Sequence, residues 1–142
     1  ILVNNLTYKM IKKSKKILTE ISAGELLDKI SILEIKLNKI KGKKNLLEIK
    51  KEYVSLIKTK KINIKSTPKL KTLIKELTKT NLQLWNIEDK KRNCEKNKKF
   101  DSKFILLARK VYLNNDKRAA IKSKINKHLG SNITEIKQYV NY

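Results

Sequence analysis

Apolar residues recur along most of the chain at alternating spacings of four and three, the period of a helix face that meets a partner. Leu26, Ile30, Leu33, Leu37 and Ile40 form the first such seam. It opens on Ser22 and Glu25, a capping box in which hydroxyl and carboxylate each serve a backbone amide left unpaired at a helix start. Leu33, Ile35 and Leu37 also alternate as in a strand, but the cap, the length and Gly42 as a stop favour a helix over 22–41. Ile32 and Ile35 add a second flank to bury. A second helix is predicted over 43–60, with Leu46, Ile49, Tyr53 and Leu56 on one face. With only Gly42 between them, the first two helices should form an antiparallel hairpin. Ser66-Thr67-Pro68 then starts a third helix, 68–96. Its seam is Leu70, Leu73, Leu77, Leu84 and Ile87, with Thr80 filling the gap. Asp101 caps a fourth helix, 101–129, and Gly130 ends it.

The expected fold is therefore all-α: an antiparallel four-helix bundle, or two paired long helical hairpins, making one helical domain over 17–142. Ile17 to Ile21 reads as a short extended run, and the polar, aromatic-tipped tail from Ser131 as a drape over the helices. Residues 1–16 are expected to be a disordered basic leader. The chain starts at Ile1 and its one Met is Met10, so 1–9 are either a leader or upstream sequence read in frame.

Composition narrows the function classes. At 142 residues the chain can bury one core, and three Gly and one Pro are too few for a turn-rich β fold. One cysteine, Cys94, excludes an internal disulfide framework and a Cys-based zinc site, and suits a reducing, cytoplasmic setting. The longest apolar run, Phe104 to Ala108, is far below the ~20 residues a transmembrane helix needs. No Gly-rich phosphate loop, nucleophile elbow or metal-ligand cluster is present, so neither a catalytic residue nor a metal or cofactor is implied. His128, beside Leu129 at a helix end, reads as a cap or seam residue rather than a base.

The net charge is +23. Lys, Ile and Asn are all over-used, as an AT-rich coding sequence would produce, yet that bias should also favour Glu, which stays scarce. A polyanion, either nucleic acid or an anionic surface, is one partner class for the excess. Only three of the basic residues are Arg: Arg92, Arg109 and Arg118. If Lys replaces Arg wherever a point charge suffices, these three mark places that need a planar, bidentate fork.

The fourth helix is where the apolar pattern breaks. Phe104, Leu107 and Val111 are followed by Asn114 and Arg118 before Ile121 and Ile125 resume the seam. A buried Arg or Asn needs partners, and Glu25, Asp28, Glu88 and Asp89 are the candidates. Two readings follow: a buried polar layer that fixes helix register, or a ligand pocket with a cationic centre. Trp85 is a core residue on the first reading and a stacking platform on the second. Arg109 and Arg118, nine positions apart, face opposite ways on an unbroken helix.

Three segments carry a family resemblance: GELLDKISILEIKL (24–37), LWNIEDKKRNCE (84–95) and ARKVYLNNDKRAAIKSKIN (108–126). The pattern N-D-x-R-A-x-I-K, here Asn115 to Lys122, is the most specific part. From Ile17 to its C-terminus the chain resembles the DUF6165 family, small proteins of unknown function from bacteria and some viruses. Its members are often encoded beside, or fused to, glycosyltransferases and other lipopolysaccharide-assembly genes. The resemblance implies an accessory role there, and no reaction. It marks Glu25, Asp28, Lys29, Trp85, Glu88, Asp89, Arg109, Tyr112, Asn115, Asp116, Arg118 and Lys122 as ligand-binding candidates. The extra N-terminal segment and the extreme Lys content depart from the family pattern. The expected function is thus an accessory or binding module whose partner is a glycosyltransferase or an anionic small molecule, such as a nucleotide-sugar or sugar phosphate. The alternative is a non-specific nucleic-acid or anionic-surface binder acting through Lys-rich faces.

Overall fold

The computed structural model describes residues 15–142, and most of the expected basic leader lies outside them. Four helices follow in order: α1 (Ala23–Lys39), α2 (Lys43–Asn63), α3 (Pro68–Lys96) and α4 (Ser102–Leu129). They form an all-α bundle. Three of the four start on a side-chain cap. Ser22 Oγ accepts from the Glu25 amide, Thr67 Oγ1 from the Leu70 amide with Pro68 in the first turn, and Asp101 from the amides of Lys103 and Phe104. At the other end of α4, Gly130 adopts the left-handed conformation (φ 62°) that closes the last turn.

Gly42 behaves differently from its expected role as the stop of α1. That helix ends at Lys39, with Ile40 as its C-cap, and Gly42 (φ 99°) instead begins α2. The far end of α2 also runs past the expected Lys60, because the Ile64 amide still reaches the Lys60 carbonyl at 2.9 Å.

The core is a cluster of Leu26, Leu27, Ile30, Leu70, Leu73, Leu77, Ile121 and Ile125. These residues come from α1, α3 and α4 alone. Among the described residues, helix α1 packs on all three other helices, whereas α2 packs on α1 alone of the helices and buries no residue. Its Tyr53, Leu56 and Ile57 lie half-buried against the edge of the core. The Tyr53 hydroxyl donates to Glu34 at 3.3 Å. Burial, then the Glu34 charge and hydrogen bond, push that hydroxyl above its ordinary pKa.

Cross-links fix helix directions. The start of α1 meets the end of α4 through Gly24 and Asn126, and the start of α3 meets the end of α4 through Thr67 and His128, so both pairs are antiparallel. Helices α1 and α3 run parallel: Asp28 and Ser31 sit beside Asn81, and Ile32 and Ile35 beside Leu84 and Trp85. At 1.5 Å per residue α1 is about 25 Å long, while α3 and α4 each exceed roughly 40 Å. The α3–α4 hairpin therefore outruns α1. Past Ile87 on α3, and before Leu107 on α4, no residue is buried.

Candidate functional site: a polar layer and the groove beside it

The break in the α4 seam opens onto the start of α1. Asp28 is 1% exposed. A carboxylate so far from water must be paired or protonated, and Asp28 is paired. Arg118 donates Nε to Oδ1 at 2.9 Å and Nη2 to Oδ2, a bidentate fork. From the third side, Asn81 donates Nδ2 to Asp28 Oδ1 at 2.8 Å and to Ser31 Oγ at 2.6 Å. Ser31 in turn donates to the Asp28 carbonyl at 2.9 Å. One carboxylate thus joins α1, α3 and α4. The Asp28 hydrogen bonds push the Arg118 guanidinium further above its ordinary pKa.

One turn along α4, Lys122 continues the layer. Its Nζ donates to Glu25 Oε2 at 2.7 Å and to Glu135 Oε2 at 3.1 Å, and lies 3.8 Å from Asp28 Oδ2. Burial, the largest single influence on this amine, works to lower its pKa. Together the bonds to Glu25 and Glu135 and the Asp28 charge outweigh it, so the net shift is upward. Glu135 moves the other way: its bond from Lys122 holds it below the ordinary glutamate value. Three carboxylates therefore meet two cations here. The layer is internally paired with no excess positive charge, so it is not an open cationic socket.

Beside it lies a groove of about 330 Å³ between α1 and α3. Its walls include Ile32 and Ile35 from α1, Asn81, Trp85, Glu88, Asp89 and Arg92 from α3, and Arg118 from α4. Trp85, read as core from sequence, is only half-buried and lines this groove. Asp28 engages Nε and Nη2 of Arg118. Nη1 makes no hydrogen bond among the described residues, and Arg118 borders the groove. Glu88 also accepts from Lys91 at 3.4 Å.

The twelve sequence candidates thus fall into separate places. Glu25, Asp28, Arg118 and Lys122 form the layer, with Lys29 at its rim 3.9 Å from Glu25. Trp85, Glu88 and Asp89 line the groove, and Arg118 belongs to both. Tyr112, Asn115 and Asp116 instead meet the C-terminal tail around a hollow of about 620 Å³. There the Tyr142 hydroxyl donates to Asp116, which raises the Tyr142 pKa, and its ring packs edge-on against Tyr112 at 5.3 Å between centroids. Arg109 is exposed and lines neither the groove nor the hollow.

The sequence reading missed Asn81, Ser31, Asn126 and Glu135. Asn81 follows Leu77 by four positions and Thr80 by one, so its place in the α3 seam could have marked it as a further polar break. Glu135 carries no such signal, since only the path of the tail brings it to Lys122. Asn114 needs no partner across the bundle: its side chain returns to the Lys110 carbonyl of its own helix at 2.8 Å. Among the described residues, no helix is long and apolar enough to cross a membrane.

The chain belongs to the Family of unknown function (DUF6165), whose model matches residues 17–142. No curated protein and no solved structure matches it.

Proposed function

We propose that the chain is a cytoplasmic helical binding module that holds a sugar-containing anion, a nucleotide-sugar or sugar phosphate, in the α1–α3 groove. The observation that carries this reading is the lining of that groove. Trp85 offers a ring face for stacking on a sugar or base. Glu88 and Asp89 offer acceptors for sugar hydroxyls. Arg92 and the Nη1 edge of Arg118 offer forked donors for phosphate. At about 330 Å³ the groove lies at the small end of ligand pockets, roughly 300–1,000 Å³. The setting implied by the family resemblance, beside glycosyltransferases and surface-sugar assembly, supports a sugar-containing ligand and an accessory role to such an enzyme. The polar layer serves the groove by locking the Arg118 fork against Asp28, so one edge of the guanidinium is held in place before a ligand arrives.

Trp85 is the one tryptophan of the chain, so its fluorescence reports on the groove without any label. Titration with a panel of nucleoside diphosphate sugars and sugar 1-phosphates should give a saturable change in Trp85 emission with at least one member. Arg92→Ala should weaken that response about tenfold, as expected for loss of a charge-assisted contact. No emission change with any member of the panel would reject the reading.

The +23 charge favours a second, weaker activity. Helix α2 carries seven lysines against two glutamates and buries none of its residues. Duplex DNA should bind through such faces without sequence preference and release at moderate salt.

A further inference from the structure

We infer that the free end of the α3–α4 hairpin docks on an anionic lipid surface, with Phe100, Ile105 and Leu106 entering the headgroup region. The inference is independent of the groove reading and concerns the opposite use of the molecule: a surface, not a cavity.

Three observations converge on this end. First, past Ile87 on α3 and before Leu107 on α4 no residue is buried, so this end of the hairpin lies outside the core. Second, this end is apolar where it meets solvent. Phe100 is 51% exposed, Ile105 58% and Leu106 50%. Scattered exposed Leu or Ile residues are ordinary, but a contiguous group is not. Phe100 packs edge-on against Phe104 at 5.2 Å between centroids, which holds the loop aromatic in place. At 100° per residue, Ile105 lies about 160° from the buried Leu107, Ile121 and Ile125, opposite the packed face of α4, while Leu106 lies on its flank. Both remain at least half exposed in the packed hairpin.

Third, the charge around this group has one sign. Between Lys90 and Lys110 there are nine basic residues against two acidic ones. Both acidic groups are already engaged: Asp101 caps α4, and Glu95 accepts from Lys98 at 2.8 Å. An apolar group ringed by lysines matches an interface whose outer layer is anionic and whose inner layer is hydrocarbon. An acidic amphipathic helix has similar chemistry but favours an apolar groove. The groove nearest the loop is polar instead, with Lys90, Asn93, Lys99 and Asp101 in its walls. The lipid surface is therefore the better fit. A hairpin tip that dips into the headgroups needs no spanning helix.

The test is co-sedimentation of the full chain with phosphatidylcholine vesicles, with and without about 30% phosphatidylglycerol, at physiological salt. The wild type should bind the anionic vesicles and not the neutral ones. Replacing Phe100, Ile105 and Leu106 together by Ser should weaken binding about tenfold or more. Reversing Lys98, Lys99 and Lys103 to Glu should weaken it on the order of a hundredfold. The matched reversal of Lys58, Lys60 and Lys61, at the far end of α2, should have a clearly smaller effect. A separate Phe100→Trp variant should show blue-shifted emission on anionic vesicles relative to wild type. Absence of wild-type binding, full binding by the Ser variant, equal loss from the α2 reversal, or unshifted emission at Trp-substituted Phe100 would each overturn the inference. Loss of vesicle binding would leave the Trp85 response to soluble ligands unaffected, so the two readings fail separately.

Discussion

Gly24 donates its amide to Asn126 Oδ1 at 2.7 Å, and a side chain at Gly24 would collide with α4. A β-carbon there would lie 2.7 Å from the Lys122 carbonyl oxygen, 2.8 Å from Asn126 Oδ1 and 3.1 Å from the Lys122 α-carbon. Two of these three atoms are backbone and cannot swing aside. In an isolated helix Gly→Ala gains about 1 kcal/mol. Here the sign should reverse: Gly24→Ala should lose about 1–3 kcal/mol, as overpacking does. Urea denaturation followed by circular dichroism measures it. A stabilised Gly24→Ala variant would show that α1 and α4 are not in this contact.

The Asp28–Arg118 pair should behave as a unit. Arg118→Met alone strands a buried carboxylate and should cost about 3–5 kcal/mol. Replacing both, Asp28→Leu with Arg118→Met, should recover much of that loss, since a buried pair exchanged for apolar residues of similar volume is often neutral or stabilising. Asn81 keeps Ser31 as an acceptor in the double variant. A double-mutant cycle by chemical denaturation gives the coupling, and additive losses would contradict the bidentate geometry.

Acid should loosen the C-terminal tail before the bundle. Glu135 has its folded pKa held below its ordinary 4.5 by the Lys122 hydrogen bond. A depressed carboxylate stabilises the folded contact above its unfolded pKa, and that contribution disappears as pH falls through the folded value. The Glu135 carboxyl resonance should therefore titrate with a midpoint below 4.5, and amides of the tail should lose exchange protection in the same range. Lys122, raised above its ordinary 10.5, works in the other direction. Its contribution is complete below that value and is lost as pH rises through the folded pKa. A Glu135 midpoint at or above 4.5 would contradict the tail's path over Lys122.

Thr67 has two tasks. Its hydroxyl caps α3 by accepting from Leu70 at 3.1 Å, and it pairs with His128 Nε2 at 2.9 Å. Thr67→Val keeps the shape and loses both, which should cost about 1–2 kcal/mol. Thr67→Ser keeps both and should be close to neutral. Thermal melts of the two variants test this, and equal effects would remove the hydroxyl from the account.

What the sequence made legible was local. Ser22, Thr67-Pro68, Asp101 and Gly130 mark helix ends because a cap is decided within four residues. The polar break at Arg118 was legible for a related reason: an Arg in an apolar seam has to find a carboxylate. Which carboxylate it finds depends on the register of α1 against α4, and nothing in the one-dimensional pattern separates Asp28 from Glu88. Gly42 shows the limit of local rules, since a glycine between two helices can end one or begin the other. The tail was beyond reach altogether. Glu135 and Tyr142 acquire partners only through a path along α4 that has no periodicity to announce it.

The attachment of α2 to α1 alone carries a kinetic consequence. Detaching it exposes no fully buried residue of its own and breaks no link between α3 and α4. Its opening should be a sub-global event, far cheaper than unfolding the chain. Amide hydrogens of Lys43–Asn63 should then exchange with solvent through that partial opening, while those of Leu27, Leu77 and Ile125 wait for global unfolding. The molecule would spend a small, measurable fraction of its time as a three-helix body with one face of α1 uncovered.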